Sequence, residues 1–173
     1  MKCILIGGGG HGRVLFETIE KQRPGVVVGV LDKNRQMKTF EGIPVLGGDE
    51  LLPHLKGRDH FTHFVIGVDA DVTQRAALYV AARKAGLEPL AVIHPTAWIS
   101  PNAKLAPGCQ VLAHAVVTTN AQLGGHVLVN TSAVVERDAL VGAHAHIGTR
   151  AVVCAAVQVK ETTFIEPGSV VRG

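Results

Sequence analysis

The chain has 173 residues, 47% hydrophobic but only 4% aromatic, with a formal net charge of +3 and a pI near 8.9. No apolar run approaches the roughly 20 residues of a membrane-spanning helix, because Gly, Pro, His or a charge interrupts each one, and residues 1–6 carry no signal-peptide cleavage pattern. Those two features together lead to the expectation of a cytoplasmic protein. The mildly basic balance contains no Lys/Arg cluster and almost no interleaved aromatics, so nucleic-acid binding has little support, and a small phosphate-bearing ligand fits the charge equally well.

The first ninety residues read as alternating strands and helices. Residues 2–6 form a short apolar strand, followed by Gly7-Gly8-Gly9-Gly10-His11-Gly12 and a helical stretch over 13–22. A second strand over 26–31 ends at Asp32, and a polar loop over 42–47 leads to a short helix near Asp49. A third strand spans 63–68, a helix 72–85 stops at Gly86, and a fourth strand over 90–93 runs into His94 and Pro95. Such alternation implies a parallel sheet with ligand sites at the carboxyl ends of its strands. Cys3, Cys109 and Cys154 are odd in number and far apart, so they read as buried reduced thiols rather than a disulfide, a metal site or a nucleophile. No metal is expected.

Gly7-x-Gly9-x-x-Gly12 sits after a strand and opens a helix, the context that gives this pattern meaning. Four consecutive glycines let the backbone approach a phosphate, and the amides of His11, Gly12 and Arg13 begin a helix whose positive end favours an anion. Asp32 stands at the end of the second strand, placed to accept bonds from a ribose hydroxyl. A full dinucleotide domain needs two mononucleotide-binding halves, and fewer than a hundred residues hold little more than one. One nucleoside diphosphate is therefore expected, and an NAD-dependent oxidoreductase ranks last because it leaves the second half unexplained.

From Ile93 to Val171 an aliphatic residue recurs at every sixth position, through Val111, Val117, Leu123, Val129, Val135, Val141 and Ile147. The place four residues after each is small in most repeats, as at Ala115, Ala121, Ala133 and Ala139. A period of six is neither helical nor a simple strand alternation; it marks a triangular coil with large residues inside and small ones beside its corners. Residues eighteen apart then stack about 4.8 Å from one another, the spacing of neighbouring strands. His126 and His144 are such a pair. The boundary between the halves falls at 92–93, giving domains of residues 1–92 and 93–173.

The glycine run with His11, Gly67-x-Asp69 ahead of Arg75, His94-Pro95, the repeat tail and the stretch Asn130-Thr131-Ser132-Ala133-Val134-Val135-Glu136 resemble one family along essentially the whole chain. It is the bacterial sialic acid O-acetyltransferase and nucleotide-sugar N-acetyltransferase family of left-handed β-helix enzymes. The resemblance implies a small Rossmann-like domain that binds a UDP-amino sugar, or sialic acid as acceptor. It also implies a left-handed parallel β-helix that forms a homotrimer, with acetyl-CoA in the groove between subunits. By that analogy Gly9, Gly10, His11 and Gly12 touch the nucleotide sugar, Asp32 and Lys33 lie near the uridine, and Gly67 and Asp69 line the adjoining loop. His146 falls where the family has a histidine that contacts the acetyl donor, with His144 beside it. The activity implied is acetyl transfer to an amine or hydroxyl in surface-glycan biosynthesis.

One departure bears on the chemistry. After Asn130–Glu136 the family carries a catalytic histidine followed by an acid, and this chain has Arg137 and Asp138. A guanidinium stays protonated and cannot take a proton from the attacking amine. Asp138 and His146 are the remaining candidates for the catalytic set. A non-catalytic nucleotide-sugar-binding trimer, with Arg137 in place of the base, is the alternative.

Overall fold

The computed structural model describes residues 1–55 and 61–173 and divides into two compact units, Met1–Leu90 and Ala91–Gly173. In the first, β1 (Cys3–Ile6) is buried along its whole length. It is central: β2 (Val27–Leu31) and β5 (His63–Ile66) flank it in parallel, and a strand covered on both faces reads as a continuous apolar run. Between them in sequence, β3 (Thr39–Phe40) and β4 (Ile43–Gly47) make an antiparallel hairpin, and β4 also extends the parallel sheet beside β2. With β6 (Glu88–Pro89) at the far edge, the order is β3-β4-β2-β1-β5-β6. Ile4, Ile6, Leu31, Phe64 and Ile66 of the sheet pack with Leu78 and Ala82 of α2 (Val72–Lys84) in one buried cluster. The Asp71 side chain caps α2 by accepting from the Gln74 amide at 2.9 Å.

The elements differ from the sequence expectation in instructive places. Helix α1 (Gly10–Gln22) begins inside the glycine run, three residues earlier than the pattern at 13–22 suggests. The stretch 42–47, expected as a loop, contains the second arm of the hairpin. Its turn residues Glu41 and Gly42 have φ of 48° and 81°, the left-handed pair that a two-residue hairpin turn requires. The third strand ends at Ile66, because Gly67 and Val68 leave the sheet to enter the crevice described below. Of the expected fourth strand over 90–93 only Val92–Ile93 is a strand, and the edge strand of the first unit lies ahead of that range. Glu88–Pro89 completes the first sheet, whereas Val92–Ile93 pairs with Gln110–Val111 of the second unit.

The second unit is a left-handed parallel β-helix. Its two-residue strands fall into three parallel sheets of five, five and four strands. The register pairs Val111 with Val129, Val117 with Val135, and Leu123 with Val141, so one coil takes eighteen residues. The aliphatic column and the small column fill the interior together: Val111, Val117, Val135 and Ile147 are fully buried, as are Cys109, Ala115, Ala133 and Ala145. No helix among the described residues is long and apolar enough to cross a membrane.

At successive corners a non-glycine residue turns the chain in the left-handed region: His114, Asn120, His126, Ser132, Asp138, His144, Arg150, Ala156 and Thr162, with φ from 53° to 63°, and Gly108 and Gly168 continue the series at either end. Asn and Asp tolerate this conformation; a β-branched residue does not. Thr162 is exposed, and its amide donates to the Ala143 carbonyl at 2.9 Å whatever its side chain. Thr162→Asn should therefore stabilise the protein by about 1 kcal/mol. That is a rise in melting temperature of roughly 2–4 °C for a chain of this size. An unchanged or lower melting temperature by calorimetry would contradict the assignment of strain to this corner.

Candidate functional site

Strands after β1 are added on one side as β2 and β4 and on the other as β5 and β6, so the order reverses between β1 and β5. At such a switch point the loops leaving the strand ends diverge and open a crevice. The glycines there divide by role. Gly7 leaves β1 with φ 100°, and a Cβ on Gly12 or Gly67 would collide with the Gly7 carbonyl oxygen, so these three close the loop on itself. Gly9 and Gly10 are exposed, and a Cβ on either would meet nothing within 4 Å. Their missing side chains serve whatever approaches from outside. Gly9 caps α1 without a side-chain bond, and the first turn carries no acid, so the amide end of the helix faces the crevice with its positive polarity intact.

Asp32 holds this loop in place. Its Oδ2 accepts from the Gly8 amide and its Oδ1 from the Asn34 amide, each at 2.7 Å. Each carboxylate oxygen can take a second bond, so the ribose contact expected of Asp32 is compatible with this brace. A cavity of about 100 Å³ is lined by Gly7, Asp32, Lys33, Asp49, Val68 and Gln74. A second of about 320 Å³ shares Asp32 and extends along Asn34, Arg35 and Lys38 to β4. Lys33 is exposed and faces the Asp49 carboxylate at 3.6 Å. His11 is buried in the first turn of α1, Gly67 is buried beside Gly7, and Asp69 is half-buried on the loop after β5.

In the β-helix, Arg137 and Asp138 form an exposed corner, and Asp138 Oδ1 accepts from Asn120 Nδ2 at 3.2 Å, one coil earlier. His126 and His144 stack at another corner, with Nδ1 atoms 3.3 Å apart and rings edge to face. That distance requires one Nδ1 to donate and the other to accept. His146 is 4% exposed, with its ring centroid 4.8 Å from that of Phe164.

Asn130 fixes the state of His146. The Thr131 amide donates to Asn130 Oδ1 at 2.8 Å, which turns the Asn130 amide nitrogen toward His146 Nε2 at 3.1 Å. With an amide N–H opposite it, Nε2 takes the acceptor's place, the arrangement of the Nδ1–H tautomer. The sequence marks the stretch holding Asn130 but gives this residue no role, because the contact joins residues 16 apart, two short of a full coil. The Arg13–Glu41 ion pair beside the glycine loop escapes a sequence reading too, since it needs the unforeseen hairpin. Among the cysteines, burial pushes the Cys3 thiol up to about 12, which leaves it inert as a nucleophile.

A family model described as PglD N-terminal domain matches residues 2–79. No curated protein matches the chain in a sequence comparison. Among solved structures, the chain is similar to a mutant of perosamine N-acetyltransferase from Caulobacter crescentus, in complex with CoA and GDP-perosamine. The two share 27% identity with a TM-score of 0.88, covering 99% of this chain and 89% of the other. The acetyltransferase domain of PglB from Neisseria gonorrhoeae, in complex with acetyl coenzyme A, shares 27% identity with a TM-score of 0.76 over 99% and 90% of the two chains. WeeI from Acinetobacter baumannii, at 19% identity and a TM-score of 0.69, shares the fold over 100% and 97%.

The Asn130–His146 contact has its own test. Asn130→Asp puts a carboxylate oxygen opposite Nε2, where it demands a donor. Long-range proton–nitrogen spectra should show the Nδ1–H tautomer of His146 in the unmodified chain and an Nε2-protonated ring in the variant. The same tautomer in both would show that Asn130 does not set it.

Proposed function

We propose that this chain, a member of the sugar acetyltransferase family of left-handed β-helix acyltransferases, moves an acetyl group from acetyl-CoA to the amine of a nucleotide-linked amino sugar. The observation that carries the reading is the open backbone of Gly9 and Gly10 at the start of α1, braced from beneath by Asp32. The likeness to an N-acetyltransferase holding CoA and GDP-perosamine supports it over nearly the whole chain. In this assignment Gly9, Gly10, His11 and Gly12 receive the diphosphate, Asp32 and Lys33 meet the nucleoside, and Gly67 and Asp69 line the loop beside the sugar. The nucleotide is UDP by the family analogy and GDP by the C. crescentus likeness, so both belong in the assay.

The sugar nitrogen attacks the thioester carbonyl carbon, the carbon–sulfur bond breaks, the thiol leaves, and the proton lost by nitrogen must be accepted. Arg137 cannot accept it. His146, with Nε2 occupied by Asn130, serves as a donor toward the acetyl group, and His144 adds a coenzyme contact. Asp138 is then the proton acceptor. A second reading, a nucleotide-sugar-binding trimer without chemistry, is favoured by one observation: the cation Arg137 stands where the family has its catalytic histidine.

Thiol release from acetyl-CoA separates the two, with UDP- and GDP-linked amino sugars and sialic acid as acceptors. The unmodified chain should turn over slowly with a nucleotide amino sugar, and Arg137→His should be faster by about 10²-fold, the lower end of a positioned base's contribution. If both proteins bind nucleotide sugar and neither releases thiol, the acetyltransferase reading fails and the binding module stands.

One face of the β-helix supports the trimer proposed for this chain. Its outward column is apolar throughout: Trp98 and Val170 are exposed, and Val116, Val134 and Val152 between them are half-buried. A ladder of this kind on a flat sheet fits copies of itself around a threefold axis. Light scattering should give a trimer for the unmodified chain and a smaller species for Val134→Glu. A monomeric unmodified chain would remove the subunit groove from the proposal.

A further inference from the structure

Three cations of the first unit each face a carboxylate from the segment 41–50. Lys33 faces Asp49 at 3.6 Å, Arg35 faces Glu50 at 3.6 Å, and Arg13 donates from Nε to Glu41 Oε1 at 2.6 Å. Only the last is within hydrogen-bonding distance, and it joins the two elements nearest the open glycines. Arg13 is the fourth residue of α1, and helical side chains lean back toward the amino end. Its guanidinium carbon lies 5.8 Å from the centroid of Phe40. Phe40 in turn packs edge-on against Phe16 at 6.0 Å. A Cβ on Gly8 would lie 3.1 Å from Phe40 Cδ2. Hairpin, helix start and glycine loop thus converge on Arg13.

A nucleoside diphosphate brings at least two negative charges to this place. The ion pair it meets is exposed on both sides, 55% for Arg13 and 39% for Glu41, and such pairs contribute little to folding. Nε is committed to Glu41, while the planar guanidinium matches a phosphate in bidentate fashion better than an ammonium does. Resting on the nucleotide-sugar reading above, we infer that Arg13 binds the diphosphate and that Glu41 is its counter-ion when the site is empty. Ligand binding then exchanges one anionic partner of Arg13 for another, and Glu41 lowers affinity by competing.

Calorimetric titration with UDP, GDP, uridine and guanosine tests this. Arg13→Gln should weaken the diphosphate bound by the unmodified chain by about tenfold or more, the scale of a lost charge-assisted hydrogen bond, and leave the nucleosides unchanged. Arg13→Lys should fall between. Glu41→Gln should bind the diphosphate a few-fold more tightly, and that gain should vanish when Arg13 is also Gln. If the pair only clips the hairpin to α1, both variants lose melting temperature alike and keep diphosphate affinity, which overturns the inference. A Glu41 effect that survives in the Arg13→Gln background overturns it as well. An unmodified chain that binds neither UDP nor GDP removes the nucleotide reading and this inference together; one that binds while Arg13→Gln binds equally removes only the latter.

Discussion

The eighteen-residue coil is the constraint on which the second unit depends. Each coil satisfies its backbone by donating to the next, as Val116 does to Ala133 and Val134 to Ala151, both at 2.9 Å. A parallel strand of two residues has no stability of its own; it persists because an identical strand lies above and below it. The register also fixes which side chains meet. Asp138 faces Asn120, and His144 faces His126, because each pair is one coil apart. Inserting or deleting a residue in one coil would misalign every such pair whose two members lie on opposite sides of it.

In the first unit an equivalent role falls to Asp32. The glycine loop is open on its outer side, where a Cβ on Gly9 or Gly10 would meet nothing within 4 Å, so its shape must be set from within. Three contacts do this: the mutual packing of Gly7, Gly12 and Gly67, the bond from the Gly67 amide to the Ile6 carbonyl at 2.7 Å, and the Asp32 bond to Gly8. Preorganised amides lose little on meeting an anion, because the ordering has already occurred during folding. An acid at the end of the second strand is commonly read as a ligand contact alone. Here it serves the loop before it serves any ligand.

How legible each part was in the sequence follows from how local its cause is. The period of six is a local pattern repeated many times, and it specified the coil, the interior columns and the His126–His144 stack. The glycine loop was legible because strand, turn and helix are contiguous. The hairpin at Thr39–Phe40 and Ile43–Gly47 was not, because its arms are short, one contains Pro44, and its turn is Glu-Gly rather than Asn-Gly. Everything built on the hairpin, the Arg13–Glu41 pair above all, was hidden with it. The Asn130–His146 contact was hidden for another reason: it runs diagonally between coils, off the columns that periodicity reveals.

The proton-transfer problem set by Arg137 also has a physical resolution within these residues. A carboxylate is a poor base for a free ammonium group, whose pKa lies many units above that of a carboxylic acid. If the sugar arrives as the neutral amine, however, the group to be deprotonated is the nitrogen of the tetrahedral adduct. Its proton is far more acidic, because the adjacent carbon carries oxygen and sulfur. Under the proposed reaction Asp138 would accept only that proton, a smaller demand than the one a histidine meets when it activates the amine beforehand. Under the proposed reaction a positive charge at Arg137 would favour the oxyanion of the adduct and the departing thiolate. The pair would then trade early activation of the nucleophile for late stabilisation of the intermediate. Such an enzyme depends on solvent to deliver neutral amine, and its rate rises with pH until the acceptor amine is fully deprotonated.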